Sequence, residues 1–385
     1  MRREGGGAFL DGRIAEERFR VRGADAFAIV GPMPDSDSQP PLATPASSMK
    51  LAVLNPKGRD PEQHFADGAG VPGDANHAPV NFHGFAACTG GGFFRDDRAI
   101  PAELKSVLLL LRQDLKASRQ ALLELRRAGK TVAISFKEAG AFQIAALLAK
   151  PDKLTLFREI CQRADAAVAT TPDAAPLYLN AGARGVEFIP TPYPVEDERW
   201  DFSTPLEERR GIFIGTREFG TPSRNHLAAL LAIKQMAESM MEPVTVFNGD
   251  GWRGRRLLAR LGFSEGLLRV VEMRLPYPRY LRLLAKHKLV WQLDASAVPG
   301  QVAGDALLCR VPCVGGNGTT ERLVFPDLCG HGRGTEQLFD IAARLLEHPH
   351  DCAAVIERAY ALARERLSFS VVAKQLADFF ARYKR

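Results

Sequence analysis

From residue 106 onward the chain alternates between short unbroken apolar runs and longer stretches that repeat every three to four positions. Ser106 to Leu111 and Thr131 to Phe136 have the length and composition of buried strands. Between them, Asp114 to Arg127 places Leu115, Leu122, Leu123 and Leu125 on or near one side of a helix, which Gly129 stops. Pro151 to Arg163 predicts a helix, Ala166 to Ala169 a strand, and Pro172 to Asn180 a helix ended near Gly182. Val186 to Ile189 predicts a strand closed by Pro190 and Pro192. Strands alternating with short helices imply a parallel α/β sheet. Upstream, Leu51 to Leu54 predicts the first strand, and a polar, Gly-rich stretch runs to about residue 80. Loops of that length in a compact domain are usually functional or mobile. Val80 to Ala87 predicts a further strand, broken by Thr89-Gly90-Gly91-Gly92.

A second series follows a charged segment at 193–210 that contains Pro194 and Pro205. Strands are predicted at Gly211–Ile214, Val244–Phe247, Leu268–Glu272, Leu289–Leu293 and Pro312–Val314. Helices are predicted at Asn225–Met240, Arg255–Leu261, Pro278–Lys286 and Val302–Leu308. Three more helices close the chain, at about 334–347, 350–367 and 371–383. The expected organisation is an N-terminal lobe over 49–195, a linker over 196–210, a second lobe over 211–367 and a terminal helix over 368–385. Residues 1–48, rich in Gly, Pro, Ser and Asp, are expected to be a disordered leader or an over-extended start with Met49 as the true one.

Composition narrows this picture little. With 385 residues the chain is long enough for two cores. The formal net charge of +6 includes no block of five or six like charges, so nucleic acid is not an expected partner. No apolar run reaches membrane-spanning length, and no amphipathic basic helix stands out as an anchor. The six cysteines form no C-x-x-C pair, which points to buried thiols and a reducing, cytoplasmic setting.

Several segments then resemble, in order and spacing, the GT-B nucleotide-sugar glycosyltransferases, in particular their large retaining group. These are Arg163 to Pro172, Val186 to Pro194, Phe213 to Arg217, Phe247 to Gly251, Asp305 to Val314 and Arg364 to Phe369. The resemblance covers residues 106 to 384 and implies two Rossmann-like lobes facing a cleft. It implies a nucleotide-sugar held mainly by the second lobe, and a last helix crossing back to the first. The donor is a substrate, with no cofactor and no metal expected. The acceptor is a carbohydrate, a lipid-linked molecule or a small molecule, so a peripheral position at the inner membrane face stays open.

The resemblance implies site residues position by position. A diphosphate needs backbone N–H groups at helix N-termini and one or two cations. Gly215 opens such a strand-to-helix loop, and Arg217 and Arg224 fall where the family places an Arg and a Lys; ordinary surface arginines are the alternative. The same loop lacks the Lys and Ser/Thr of a P-loop, and Gly249-x-Gly251-x-x-Gly254 reads as a tight turn rather than a dinucleotide fingerprint. The second acid of the family's E-x7-E motif falls on Asp305, implied to bond the ribose, or else a first-turn helix acid. The first falls on Ala297, a departure that puts donor identity and activity in question. Gly300 and Gln301 precede that helix and can offer N–H groups to phosphate, and Thr319 and Thr320 either touch phosphate or cap the next helix. In the first lobe, Asp114 and Lys137-Glu138 follow strands as candidates for the group near the reacting carbon. His83 is a third candidate, with a packed structural histidine as its alternative.

Three functions fit: sugar transfer, a degenerate GT-B protein that binds a glycan or partner without catalysis, and a nucleotide-sugar epimerase. The 193–210 segment and the terminal helix are expected to act as a hinge that closes when donor binds.

Overall fold

A computed structural model describes residues 49–73, 76–137 and 140–384. The expected leader over 1–48 lies outside the described residues. The first sheet contains β1 (Leu51–Leu54), β2 (Gln63–His64), β3 (Gly92–Phe94), β4 (Ser106–Leu111), β5 (Thr131–Phe136), β6 (Ala166–Ala169) and β7 (Val186–Phe188). Its order is β2-β3-β1-β4-β5-β6-β7, all parallel except β2 against β3. The strand side chains alternate between two cores. Leu51, Val53, Leu108, Leu110 and Val168 face one, whereas Ala52, Leu54, Val107, Leu109 and Ala167 face the other. Burial of both faces explains why these strands read as continuous apolar runs. The helices of this half are α1 (Asn81–Cys88), α2 (Leu115–Arg127), α3 (Ala141–Leu148), α4 (Pro151–Arg163) and α5 (Ala175–Asn180).

The second sheet has the order β10-β9-β8-β11-β12 and is entirely parallel. Its elements run β8 (Ile212–Ile214), α6 (His226–Met240), β9 (Val244–Phe247), α7 (Gly251–Arg260) and β10 (Leu268–Val271). They continue with α8 (Tyr277–Leu284), β11 (Leu289–Gln292), α9 (Gln301–Leu308), β12 (Cys313–Gly315) and α10 (Thr319–Val324). Trp291 of β11, fully buried, donates its indole N–H to the Ala229 carbonyl at 3.0 Å and so pins α6 to the sheet. Then come α11 (Thr335–Glu347), α12 (Pro349–Arg366) and α13 (Phe369–Tyr383). Ser368 caps α13, which packs Phe369, Val372, Leu376, Phe379 and Phe380 into the core that also holds Phe82 and Phe85 of α1. The last helix therefore returns to the first sheet.

Two expectations need correction. The segment Val80–Ala87 is not a strand: α1 buries seven of its eight residues. A short helix buried on all sides shows no 3.6-residue period, so its pattern is that of a strand. Gly84 lies where the helix meets the chain ahead of the lobe junction; a Cβ there would stand 2.9 Å from the Pro192 carbonyl oxygen. The second correction is to α7, which begins at Gly251 rather than Arg255 and so carries Trp252 and Arg253.

The segment between the sheets is held on both sides. Tyr193 N–H donates to the Leu367 carbonyl at 2.8 Å, and Tyr193 forms a parallel bridge with Ser368. Trp200 is buried and donates its indole N–H to the Gly70 carbonyl at 3.0 Å.

Candidate active site

The carboxyl ends of both sheets meet at one junction. After β5, Gly140 abuts the Ser296 carbonyl and the Val298 side chain that follow β11. Asn81, at the start of α1, donates to Gln301 Oε1 at 2.8 Å. Arg322 of α10 pairs with Asp173, beyond β6, at 3.0 Å. In the second sheet the chain leaves β8 toward β9 and β10, then returns to place β11 on the other side of β8. The crevice outside β8 and β11 is thus a topological switch point, where open parallel sheets bind ligands.

Three loops line that crevice. The first leaves β8 at Gly215, where a Cβ would come within 2.5 Å of Val302 Cγ1, so glycine lets the start of α9 approach the strand end. Arg217 follows, exposed, and makes no ion pair among the described residues. Arg224 in the same loop is engaged: it pairs with the buried carboxylate of Asp294 and with Glu218 at 3.4 Å. The second loop carries Asp294 to Gly300. Ala297 holds a left-handed backbone (φ 50°), and its N–H donates to Asn317 Oδ1 at 2.8 Å. Gly300 (φ 95°) leads into α9; a Cβ there would overlap Glu321 Oε2 at 2.2 Å. The third loop, Gly316 to Gly318, leads into α10.

Asp305, on the buried side of α9, is covered by two half-buried tyrosines. Tyr277 donates its hydroxyl to Oδ1 at 2.5 Å, and Tyr280 and Gln301 also bond the carboxyl. Burial pushes its pKa up to about 7, while the tyrosines and the charge of Arg217 pull it back. Tyr277 also lines a small pocket whose other walls include Gln63, His77 and Trp200. Glu321 is likewise buried and raised to about 7, first by desolvation and then by the charge of Asp294. Its Oε1 accepts from Gln292 at 2.8 Å, and its Oε2 has no partner among the described residues.

The candidate residues are thus not equally placed. Gly215, Arg217, Gly300, Gln301 and Asp305 line or back one crevice. Thr319 and Thr320 lie beside it, but their N–H groups already donate to Val298 and Pro299 carbonyls at 2.9 and 3.0 Å. The Thr320 hydroxyl donates to Pro299 as well, whereas Thr319 Oγ1 is buried without a partner among the described residues.

In the first lobe Asp114 is the N-cap of α2, accepting from Ala117 N–H at 3.1 Å. Glu138 lies outside the described residues. His83 is 3% exposed and stacks on Phe93 with ring centres 3.6 Å apart. Burial and the neighbouring His77 lower its pKa to about 3, and its Nε2 lies 3.2 Å from the Pro61 carbonyl oxygen. The charged pair at the carboxyl end of this sheet is instead Lys137 with Asp60, at 3.2 Å, and Asp60 also accepts from Asn55 at 2.7 Å.

Tyr277, Tyr280, Asp294, Glu321 and Asp60, the partner of Lys137, were missed from the sequence. For Glu321 a signal existed: an acid in the first turn of a helix that follows a glycine-rich turn.

No protein-family model matches the chain, and no curated protein is similar to it in sequence. Solved structures are similar in shape. A sucrose-phosphate synthase from Thermosynechococcus elongatus superposes with a TM-score of 0.57 at 15% identity, over 87% of this chain and 98% of that one. A UDP-forming α,α-trehalose-phosphate synthase from Burkholderia vietnamiensis gives 0.56 at 12% identity, over 74% and 72%. A glycosyltransferase from Rickettsia africae gives 0.54 at 12% identity, over 72% and 76%. With two parallel sheets facing across a switch-point crevice and a last helix returning to the first sheet, the chain has the GT-B fold of nucleotide-sugar glycosyltransferases.

Proposed function

We propose that the protein transfers a sugar from a nucleotide-sugar to a carbohydrate or other hydroxyl acceptor. The observation that carries this reading is Arg217, an exposed cation without an ion pair among the described residues. It stands at the mouth of the switch-point crevice, near enough to Asp305 and Tyr280 to act on their charges. A nucleoside diphosphate would place its diphosphate on Arg217 and on the backbone at Gly300 and Gln301. Its ribose would lie toward Asp305, exchanging with the tyrosine hydroxyls. Arg224 would turn from Asp294 to the diphosphate as the donor enters. Chemistry of this kind works mainly by holding charge and geometry fixed in a water-poor cleft. The similar structures described as UDP-forming make a uridine diphosphate sugar the first donor to try, and the sugar-phosphate products in their names make a sugar phosphate the first acceptor.

The second reading, a GT-B protein that binds without catalysis, is supported by particular observations. Ala297 offers no carboxylate where the family places one. The Arg224–Asp294 pair and the occupied N–H groups of Thr319 and Thr320 already satisfy part of the cradle. Calorimetry with UDP-, GDP-, ADP- and TDP-glucose separates the two. Saturable binding of one donor, weakened in Arg217→Ala and Asp305→Ala, supports transfer. A folded protein that binds none of them supports the second reading.

A further inference from the structure

Helix α7 has an outward face that no described element covers. At 100° per residue, Gly254 and Leu258 point to the sheet, while Trp252, Arg253, Arg256 and Arg260 point away, and burial follows that division. Trp252 is 61% exposed, with the Arg253 guanidinium 5.6 Å from its ring centre. Leu257 and, beyond the edge strand β10, Met273 are also exposed, Met273 by 67%. Between Gly251 and Leu284 the chain has eight arginines, no lysine and two carboxylates. That surplus of six equals the formal charge of the whole chain, +6. Arg255 reaches Glu272 only at 3.9 Å, and Arg256, Arg260, Arg269 and Arg274 make no ion pair among the described residues.

Charge and shape together select an occupant. Unpaired guanidiniums match phosphate, which they bond in forked geometry. Three exposed apolar side chains among them would be poorly placed against a purely ionic partner, and an indole beside arginines suits the headgroup layer of a bilayer. The surface is the outward face of a helix beside the edge strand of the sheet. Single-stranded nucleic acid is bound in a groove with several stacking rings, and here one ring is presented. We propose that the outward face of α7, with the β10 edge, docks on anionic phospholipid membranes. The helix starts at the carboxyl end of β9, where Gly249 abuts the Arg217 backbone, so docking would hold the mouth of the crevice beside the bilayer. The proposal stands apart from the transfer reading, because its test measures binding and not turnover.

The test is sedimentation of the full chain with phosphatidylcholine vesicles, with or without about 30% phosphatidylglycerol, in about 0.1 M salt. The expected result is sedimentation with the anionic vesicles alone, reversed by about 0.5 M salt. Changing Arg253→Glu, Arg256→Glu and Arg260→Glu together should lower the vesicle-bound fraction at least about tenfold with no change in melting temperature. Of the three tryptophans, Trp200 and Trp291 are buried, so a blue shift of emission on vesicle addition reports Trp252 and should vanish in Trp252→Phe. Absence of sedimentation with anionic vesicles would overturn the proposal, as would undiminished binding of the triple variant. So would preferential transfer of the protein from vesicles to a competing RNA oligonucleotide, which would assign the face to nucleic acid.

Discussion

Arg217 and Arg224 share a loop but not an environment, and substitution should separate them. Arg217→Ala removes an exposed cation that makes no ion pair among the described residues, so donor affinity should fall while the melting temperature holds. Arg224→Ala strands Asp294, whose side chain is 6% exposed, and should also destabilise the fold by about 1–3 kcal/mol. Parallel thermal melts and donor titrations would show whether the two effects divide in this way. The acids give a pH dependence with a definite sign. Asp305 and Glu321 are held at about 7 by burial, whereas carboxyls in the unfolded chain titrate near 4. The folded state binds these protons more tightly, so the stability they contribute is full below about pH 4 and lost as pH rises through about 7. Between those limits the wild-type melting temperature should decline more steeply than that of the Asp305→Asn, Glu321→Gln double variant. Superimposable slopes would show that the two carboxyls are not protonated in the fold. At this scale the sequence was partly legible. The resemblance placed Arg217 in a strand-to-helix loop and Asp305 on the helix after another, but it could not show what they touch. Tyr277 and Asp294 reach their partners only through tertiary contacts, as do the stacking of His83 on Phe93 and the pairing of Lys137 with Asp60.

Among the elements, parallel strands were easy to read because both faces are buried, and amphipathic α2 because one face is not. Reading failed at α1, buried all round, and at the N-terminus of α7, where two glycines hide a helix start. That second miss kept Trp252 off the helix and concealed the basic face. Close approach between elements also sets a test. At Gly304 in α9 a Cβ would stand 1.8 Å from Tyr193 Cζ, so the helix meets the lobe junction with no room to spare. Gly304→Ala should cost about 1–3 kcal/mol through displacement of that ring. Combining it with Tyr193→Leu should restore part of the loss, which denaturant melts of the single and double variants would measure. If Gly304→Ala is neutral, the ring moves freely and the junction is looser than its packing indicates.

At the scale of the molecule, the chain passes between the sheets twice, and the two passages lie side by side where Tyr193 bridges Ser368. Adjacent crossings define an axis about which the sheets can turn. The expected hinge is therefore a short joint fixed by hydrogen bonds, not a free tether, since Trp200 and Tyr193 are both buried. Donor binding should reduce the radius of gyration in solution scattering. An unchanged radius with donor saturating the site would argue against closure. The two-lobed plan was legible because it rests on repeated local pattern, and the two segments of the joint were named with it, but the pairing of Tyr193 with Ser368 was not legible, because the two are far apart in sequence.

The return of α13 to the first sheet has a consequence for synthesis. Phe82 and Phe85 of α1 emerge from the ribosome well ahead of Phe379 and Phe380 of α13, which share their core. The sheet that is translated first is thus completed only after the second sheet has been made. While the second sheet is being made, the nascent chain must carry an apolar surface that α13 will later cover.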